Sequence, residues 1–573
     1  MLCKAFTLSL IFFSLTSCAK KEKDKYASVI YTNGNIITMN DSFPKAKAVA
    51  VKNGLILDVG LNQNELVSKY KGPNTKLVSF NEKTVIPGIV DAHSHLTTVA
   101  VQAVSANLLP PPDGGAKDIP TLQKILKEFI KNSPTIKKHG IAIGFNYDDS
   151  QLKEKRHPNR QELDEVSTEI PIVIMHQSGH LGVYNSLALK KAGIDQNSKD
   201  PAGGTIYREK DGKTPNGLMA ENAHFIVVYK LIPKYTNNQI QEMLLKAQEV
   251  YLKNGITTIQ DGRTDPNGLA SLIYTANNKK FKVDVVVYAD LEMNMDNKTL
   301  LGPLMSEAYT NRLRIGGVKL SLDGSPQGKT AWFTKPYLVP PHNEKNSYRG
   351  FPIFKNIDKL QKLVDYTQKK GWQLLAHANG DAAIDQLIQV VENTKKNDGE
   401  KEINTVLIHG QFIRKDQIQK IKELNIFPSV YPMHTFYWGD WHRKSVAGEQ
   451  RAAFTSPTAS LMKAGLKFSI HTDAPVIFPD SMRLLDSAVN RVTRSEFILG
   501  PEERITPLTA LKAMTIWPAT QYSEESRKGS IEVGKLADFA VLSQDPLTIK
   551  HRDLIKIKIL QTIKEGQSVY KFE

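Results

Sequence analysis

The stretch that decides the fold is VIPGIVDAHSHL, residues 85–96. It is an apolar run that ends in two histidines, His93 and His95, with Asp91 two residues before the first. Side chains of a β-strand alternate between its two faces with a period of two residues. If the stretch ends a strand, Asp91, His93 and His95 point one way and Ser94 points the other. Two imidazoles aimed at one point predict a clamp for a divalent ion.

Around this stretch, short apolar runs alternate with helical patterns, which predicts a parallel sheet. Nine runs are strand candidates, one more than a closed barrel of eight strands needs. The run IPIVIMHQ, residues 170–177, is the best candidate for an inserted segment. The fold class we predict is α/β, a (β/α)8 TIM-like barrel. The other eight runs are TVIPGIVDAH, ITTIQDG, VDVVVYADL, IGGVKLSLDG, WQLLAHANG, NTVLIHGQ, IFPSVYPMH and LKFSIHTDAP.

Both ends of the chain are rich in strand signals. Asn33-Gly34 and Asn53-Gly54 each stand between apolar runs, which predicts two hairpins. A turn near Glu565-Gly566 predicts a third hairpin at the C-terminus. We therefore expect a small β-sandwich domain built from both chain ends, with Pro87-Gly88 marking the passage into the barrel.

The chain opens with a leader-like segment. Lys4 is followed by an apolar run from Ala5 to Leu15 that is too short to span a bilayer. Leu15-Thr16-Ser17-Cys18 resembles the lipobox of bacterial lipoproteins, which implies cleavage before Cys18 and attachment of lipid to it. The alternative is an ordinary cleaved signal peptide. The resemblance implies an exported, membrane-anchored lipoprotein facing the periplasm or the cell exterior.

The amino-acid composition limits which residue types could form a metal site and which partners the chain could bind. The only cysteines of the 573 residues are Cys3 and Cys18, so the mature domain has no disulfide and no thiolate, and a metal site needs His, Asp, Glu or Lys. The net charge of +16 comes from scattered lysines without a basic stripe, which indicates a solvated surface and no nucleic-acid partner.

Polar residues of metal-ligand type stand at the ends of the predicted barrel strands. In a parallel barrel these ends share one face, and that face carries the active site. A single strand-end histidine is more often a structural residue, and a single lysine more often a solvated one. Their order along one predicted scaffold favours a common metal site. The candidate ligands are His93, His95, Lys319, His377, His409 and Asp473.

These motifs carry a family resemblance. The chain resembles the amidohydrolase superfamily, and within it amidohydrolase family 3, the YtcJ-like metal-dependent hydrolases, over nearly all residues after 27. The family fold is a (β/α)8 barrel beside a small β-sandwich made from both chain ends. The motifs are VIPGIVDAHSHL, GITTIQDG, GGVKLSLDGSPQGKTAWFTKPY, LLAHANGDAAID, VLIHGQ, HTDAPV, TPLTALKAMTIWPAT and GSIEVGKLADFAVL.

The resemblance implies a domain plan. Its boundaries are 1–17 for the signal peptide, 18–26 for a tether, 27–84 and 521–573 for the two parts of the sandwich, and 85–520 for the barrel, with an insertion at about 97–225.

The resemblance also assigns roles to the ligands. His93 and His95 would bind one metal, and His377 and His409 a second where two are present. Asp473 would bind the first metal and act as the catalytic general base.

Lys319 would be carboxylated and bridge two ions, because an unmodified lysine is a cation and a carbamate is an oxygen ligand. The implied cofactor is zinc, as one or two divalent ions.

Substrate contacts are implied more loosely. His180 and Asn185 in the insertion would face the substrate. His434 is our own candidate for a contact with the substrate or an oxyanion, and the alternative is a structural loop histidine. Asp91 either orients a ligand histidine or only packs. Tyr431-Pro432 stands where family members often have Gln-Pro, which weakens any transfer of substrate identity.

The implied function is hydrolysis of a C–N bond in a small amide-type molecule by a metal-activated hydroxide, with Asp473 as base. The alternatives are a deaminase, a cyclic amidase or an esterase on the same scaffold, or a lipid-anchored binding protein without catalysis. A binding protein without catalysis fits least well, because it would not need the complete set of metal-binding residues. A homo-oligomer is a further expectation.

Overall fold

The computed structural model describes residues 25–572, apart from 134–135, 137–139, 202, 342–343 and 400–403. The predicted signal peptide, residues 1–17, and the predicted lipidation site, Cys18, lie outside the described residues. In the part of the chain that is described, no helix has both the length and the apolar composition needed to cross a bilayer.

The strands of the described residues fall into four sheets. They are β1 Val29–Thr32, β2 Asn35–Ile37, β3 Lys45–Ala46, β4 Ala48–Lys52, β5 Leu55–Gly60, β6 Lys76–Ser79, β7 Thr84–Pro87, β8 Ile89–Val90, β9 Ala106–Asn107, β10 Ala142–Tyr147, β11 Ile172–His176, β12 Leu181–Tyr184, β13 Gly204–Arg208, β14 Pro215–Glu221, β15 Ile256–Thr264, β16 Asp284–Asp290, β17 Leu313–Ser321, β18 Gln373–Ala378, β19 Thr405–His409, β20 Phe427–Val430, β21 Ser469–Ile470, β22 Phe539–Leu542, β23 Ile559–Lys564 and β24 Gln567–Lys571.

The α-helices lie between these strands. They are Gln63–Tyr70, Leu96–Gln102, Ile119–Asn132, Arg160–Asp164, Ser186–Ala192, Asn222–Leu231, Asn237–Leu252, Pro266–Asn277, Ile357–Lys369, Asp381–Asn397, Lys415–Glu423, His434–Trp441, Glu449–Ala453, Thr458–Lys463, Ser481–Asn490, Pro507–Met514 and Ile516–Gln521. Short 3-10 turns cover Lys298–Leu301, Pro501–Glu503 and His551–Lys556, and a π-helical turn covers His442–Val446.

The barrel sheet contains eight parallel strands. They are β8 followed by β15 to β21, and they stand side by side in chain order. They correspond to the eight predicted runs, and the ninth, as β11, lies in another sheet. Two backbone hydrogen bonds join the segments that follow the first and last barrel strands. The His95 N–H donates to the Ala474 carbonyl at 2.7 Å and the Asp473 N–H to the His93 carbonyl at 3.2 Å. The predicted α/β barrel is thereby confirmed, and its closure lies beside the candidate ligands.

Gly88 is the point where the chain crosses from one sheet to the next. β7 belongs to a six-stranded sheet and β8, two residues on, begins the barrel. A Cβ at Gly88 would lie 2.6 Å from Thr257 Cγ2, so only glycine allows β15 to approach this closely. Pro87-Gly88, where we expect the passage into the barrel, lies at this crossing.

The β-sandwich pairs strands from both chain ends. One sheet has the order β5-β4-β1-β6, and the other has the order β24-β23-β22-β7-β2-β3. Tyr31, Phe80 and Phe539 pack between the sheets, with ring centroids 4.8 Å apart for the first pair. Strands after residue 538 therefore share a core with strands before residue 88, as predicted.

Two of the three predicted hairpins are present. β4 and β5 pair around Asn53-Gly54, and β23 and β24 pair around Glu565-Gly566. The hairpin predicted at Asn33-Gly34 is wrong, because β1 joins β4 and β6 whereas β2 joins β3 and β7. At this turn the Asn33 N–H donates to Gln63 Oε1, and the Gly34 N–H to the Lys47 carbonyl. The turn thus carries the chain from one sheet of the sandwich to the other.

The segment between β8 and β15 forms its own six-stranded sheet, β13-β14-β12-β11-β10-β9. Apolar residues pack on both of its faces, Leu122 and Leu163 on one and Leu189 and Met219 on the other. The carboxyl ends of β10 and β11 reach the segment after Asp473, where Asn146 and Gln177 donate to the Val476 carbonyl at 3.1 and 3.0 Å.

Candidate metal centre

Three predicted ligands meet at one point. Nε2 of His95 lies 3.2 Å and Nε2 of His93 lies 3.4 Å from Oδ1 of Asp473. Burial lowers the pKa of His93 well below its ordinary value, so the imidazole is neutral with a free lone pair. Burial would raise the pKa of Asp473, but the hydrogen bond and charge of His95 lower it overall, so the carboxylate is ionised. Imidazole nitrogens together with a carboxylate fit a divalent transition metal.

The backbone bends sharply where ligands leave their strands. His409 and Asp473 have φ angles of 74° and 54°, in the left-handed region that few non-glycine residues adopt. Each is the last residue of its barrel strand or follows it closely. Strain of this kind persists where the surrounding structure fixes it, and here it aims both side chains inward.

Lys319 lies within the same cluster. Its Nζ is 3.2 Å from Nε2 of His93, and only 2% of the residue is exposed. Burial lowers the pKa of Lys319 to about 7. Among the described residues, no carboxylate lies within ion-pair distance of Nζ.

His377 and His409 contact each other. Nε2 of His409 lies 3.0 Å from Nδ1 of His377, and burial lowers the pKa of both rings. Nε2 of His377 faces the Gly324 carbonyl at 3.2 Å. Nδ1 of His409 lies 4.0 Å from Asp473, so this pair adjoins the first group of ligands.

His471 is a residue that our sequence reasoning missed. It is 1% exposed, and its ring lies 5.1 Å from that of His409 and 5.2 Å from that of His93. With His409 and Asp473 it forms a second group whose ligand atoms lie within 4.8 Å of one another. The signal was present in HTDAP, because His471 stands two residues before Asp473, the spacing that drew attention to His93 and His95.

Gln260 determines which nitrogen of His93 is free. Its Nε2 donates to the Ala92 carbonyl at 2.8 Å and to the Tyr522 hydroxyl at 2.7 Å. Its Oε1 must therefore accept from Nδ1 of His93, 2.6 Å away. Nε2 of His93 is left unprotonated, facing Asp473. Such outer partners orient histidine ligands, and the sequence offered no sign of this one.

Asp91 contacts neither imidazole. Its carboxylate accepts from the Ser94 hydroxyl and from the Gln260 N–H at 3.0 Å. The predicted alternation through the motif is wrong at this point, because β8 ends at Val90 and Asp91 bonds to Ser94. Burial raises the pKa of Asp91 to about 6. Its position favours a role in fixing β15, and through Gln260 it acts on His93 only indirectly.

His180 lies in the insertion, close enough to His377 to lower the pKa of that ring. Its Nδ1 is 2.9 Å from Oε2 of Glu221. Burial lowers its pKa, but the charge of Glu221 outweighs that and raises the pKa overall. Glu221 itself has a φ of 51° and ends β14.

Asn185 does not face a substrate, so that expectation is wrong. It is fully buried and its side chain accepts from the Ala188 and Ile172 N–H groups, both at 2.9 Å. Its Nδ2 donates to the carbonyls of Ser167 and Ile170. The amide caps the helix Ser186–Ala192 and has no capacity left for a ligand.

His434 lies in a buried aromatic group at the rim of the barrel. Its ring stacks on that of His442 at an interplanar angle of 13°, and their Nδ1 and Nε2 atoms are 3.0 Å apart. It also contacts Trp438 and Tyr431, at centroid distances of 4.6 and 4.7 Å. It joins neither group of metal-ligand atoms.

A third group of possible ligands lies in the insertion, formed by Asp148, Asp149 and His176. Nε2 of His176 is 3.0 Å from Asp149, and the Ser178 N–H donates to its Nδ1. With Nδ1 accepting, the proton of this imidazole is on Nε2 and is donated to Asp149. The group is therefore a satisfied hydrogen-bond network.

The family model described as "Amidohydrolase family" matches residues 76–570. The chain belongs to the amidohydrolase family. It is 29% identical over 566 residues to "Protein LONG AFTER FAR-RED 3" of Arabidopsis thaliana, covering 95% of this chain and 92% of that protein. It is 27% identical over 550 residues to "N-substituted formamide deformylase" of Arthrobacter pascens, covering 94% and 97%.

A solved structure agrees with the fold. An uncharacterized metal-dependent hydrolase from Pyrococcus horikoshii superposes with a TM-score of 0.73 at 24% identity, covering 91% of this chain and 99% of that one. This likeness concerns the fold. Family membership makes the chain a hydrolase, and His93, His95 and Asp473 are positioned as such an enzyme would need to hold an ion.

Proposed function

We propose that this hydrolase cleaves a C–N bond of a small amide-type molecule, with a divalent metal held by His93, His95 and Asp473. The observation that carries the proposal is the convergence of two imidazoles on one ionised carboxylate, with the Nε2 atoms of His93 and His95 within 3.4 Å of Oδ1 of Asp473, at the closure of the barrel. The relative named as a deformylase of N-substituted formamides makes such amides the first substrates to test. A bound ion would polarise the substrate carbonyl and lower the pKa of a water molecule.

Asp473 is the base in this proposal. Its Oδ1 faces the two histidines, whereas Oδ2 is directed toward His409 at 4.0 Å. An ionised carboxylate so placed takes a proton from the attacking water and returns it to the leaving nitrogen. Gln260 and the strained backbone at Asp473 hold the acceptor atoms in place before substrate binds.

The test uses the purified full chain. We expect bound transition metal, zinc in our proposal, and release of acid and amine from N-substituted formamides or acetamides. His93→Ala should lose metal and activity, and Asp473→Asn should lower kcat by about 100- to 10,000-fold, the usual contribution of a general base. Esters, cyclic amides and amino-substituted rings in the same panel distinguish the alternatives, because ammonia release from a ring favours deamination. A protein without tightly bound metal and without hydrolysis would be the binding protein instead.

We also propose that Lys319 is carboxylated when metal is bound. Its Nζ lies 3.2 Å from the ligand nitrogen of His93, where an ammonium group would repel a metal cation. A carbamate would instead supply oxygen ligands. Equilibration of the loaded protein with 13C-bicarbonate should give a carbamate signal by NMR that Lys319→Met lacks; equal spectra for both proteins would refute the carbamate.

We propose, finally, export and lipid anchoring through Cys18. The support is the leader-like sequence, a charged residue and an apolar run followed by LTSC. In a bacterial host fed an alkyne fatty acid, the protein should be labelled and found in the membrane fraction. Cys18→Ala should abolish both, and Cys3→Ala is the matched control that should keep both. Label retained by Cys18→Ala would refute the anchor.

A further inference from the structure

Tyr431 is placed at the mouth of the barrel beside the metal candidates. It follows β20 directly, at the carboxyl end of that strand, and is 1% exposed. Its ring stacks on His471 at 4.9 Å and 29° and lies 6.2 Å from the ring of His409. His434 meets it edge-on at 4.7 Å. Aromatic contacts on these sides fix the plane of the phenol.

The hydroxyl of Tyr431 has no hydrogen-bond partner among the described residues. This is unusual within the same protein. In the described part of the chain nine tyrosines are buried, and the other eight all have a bonded hydroxyl. Those eight are Tyr31, Tyr147, Tyr184, Tyr251, Tyr288, Tyr337, Tyr437 and Tyr522.

An unpaired buried hydroxyl lowers the stability of the folded protein. A group retained at such a cost next to a reaction centre is a candidate for contact with a ligand. A tyrosine hydroxyl ordinarily keeps its proton at neutral pH, so this unpaired group is available as a donor.

We propose that the Tyr431 hydroxyl donates a hydrogen bond to the carbonyl oxygen of the substrate and to the oxyanion that this oxygen becomes. The proposal rests on the proposed function. The phenol keeps its proton throughout, while Asp473 carries the proton that moves from water to the leaving nitrogen. Hydrogen-bond donors that face a developing oxyanion are among the largest contributions to acyl transfer.

This role specifies the substrate class. The scissile bond must be next to a carbonyl oxygen that can reach the barrel mouth, as in a linear amide, a cyclic amide or an ester. An amino-substituted ring that loses ammonia offers a ring nitrogen or no acceptor at that place. Tyr431 therefore favours acyl-group hydrolysis over deamination.

Tyr431→Phe tests the role because it keeps the ring and its stacking on His471. We expect kcat/KM for the best amide to fall about 100-fold, the effect of removing one oxyanion donor. Metal content should not change. The thermal midpoint should stay the same or rise, because the variant removes an unpaired buried hydroxyl.

Tyr288→Phe is the matched control. Its hydroxyl bonds to Gln373, at the first residue of β18 and thus at the amino end of the barrel. That variant should lose stability and keep kcat/KM. The inference is overturned if Tyr431→Phe hydrolyses the amide as fast as the wild type, or if it loses stability and activity together. A wild-type protein that contains metal but hydrolyses no amide would refute the proposed function instead.

Discussion

At the scale of single residues, the candidate metal centre depends on the side-chain amide of Gln260, which fixes the tautomer of His93. Gln260 accepts from Nδ1 of His93 because both hydrogens of its own nitrogen are committed to Ala92 and Tyr522. An imidazole without that acceptor could place its proton on either nitrogen and could rotate. Nε2 of His93 is therefore free to face Asp473 because these hydrogen bonds hold the proton on Nδ1.

Gln260→Leu should weaken metal binding about 10- to 100-fold, the usual effect of losing a partner of a ligand histidine. Competition with a chelator measures it. Gln248→Leu is the control, since Gln248 is equally buried but bonds to the Lys282 N–H away from the centre. If both variants bind metal as the wild type does, Gln260 only packs.

At the scale of elements, the end of β14 holds the charge that acts on His180. Glu221 adopts a φ of 51° where β14 gives way to the helix Asn222–Leu231, and its carboxylate bonds to Nδ1 of His180. Arg263 lowers the pKa of His180 and Asp323 raises it, each by less than Glu221 does. The pair thus keeps a partly buried imidazole more basic than burial alone would allow.

Glu221→Gln should lower the pKa of His180 below its ordinary value, because burial then acts without the opposing charge. A histidine whose pKa is raised by folding adds stability that is complete below about pH 6.5 and is lost as pH rises through the folded pKa. The variant should remove that slope. NMR titration of the ring measures the pKa, and Glu209→Gln, in the adjoining β13–β14 connection, should leave it unchanged. Equal titration curves for wild type and Glu221→Gln would contradict the assignment.

The positions of the strands were easier to predict from the sequence than which strands pair with one another. Apolar runs are local, so all eight barrel strands were found, as was the surplus run that became β11. Strand pairing depends on packing between residues far apart in sequence. The hairpin predicted at Asn33-Gly34 is wrong for this reason, because the two strands beside that turn belong to different sheets. The strand-end candidates His93, His95 and Asp473 converge. Gln260 was missed because only the closed barrel brings it to His93, whereas His471 was missed although its two-residue spacing from Asp473 was a local signal.

At the scale of the whole molecule, a buried group of charges joins the sandwich to the barrel. Asp284, the first residue of β16, accepts from Lys528 and from Lys564 of β23, both at 2.8 Å. Lys564 also bonds to Asp538 at 2.8 Å. These side chains are 6% exposed or less. Each charge is tolerated in the interior only because its partners remain in place.

Asp284→Ala should therefore destabilise the protein by about 3–5 kcal/mol, because it leaves Lys528 and Lys564 buried without their shared carboxylate. Burial would raise the pKa of Asp284, but the two lysines hold it well below 3.8. A carboxylate with a depressed pKa adds stability above its unfolded pKa, and this is lost as pH falls through the folded value. The wild type should thus weaken below about pH 4, and the variant should weaken less steeply there.

Thermal unfolding between pH 3 and 8 measures both effects. Asp58→Ala is the matched control, since Asp58 pairs with Lys69 at 3.1 Å on the sandwich surface, and its loss should cost at most about 1 kcal/mol. Because Lys564 is in the sandwich and Asp284 in the barrel, the variant should also let the two parts unfold at separate temperatures. A single transition shifted no further than that of Asp58→Ala would mean that the buried charges do not hold the two parts together.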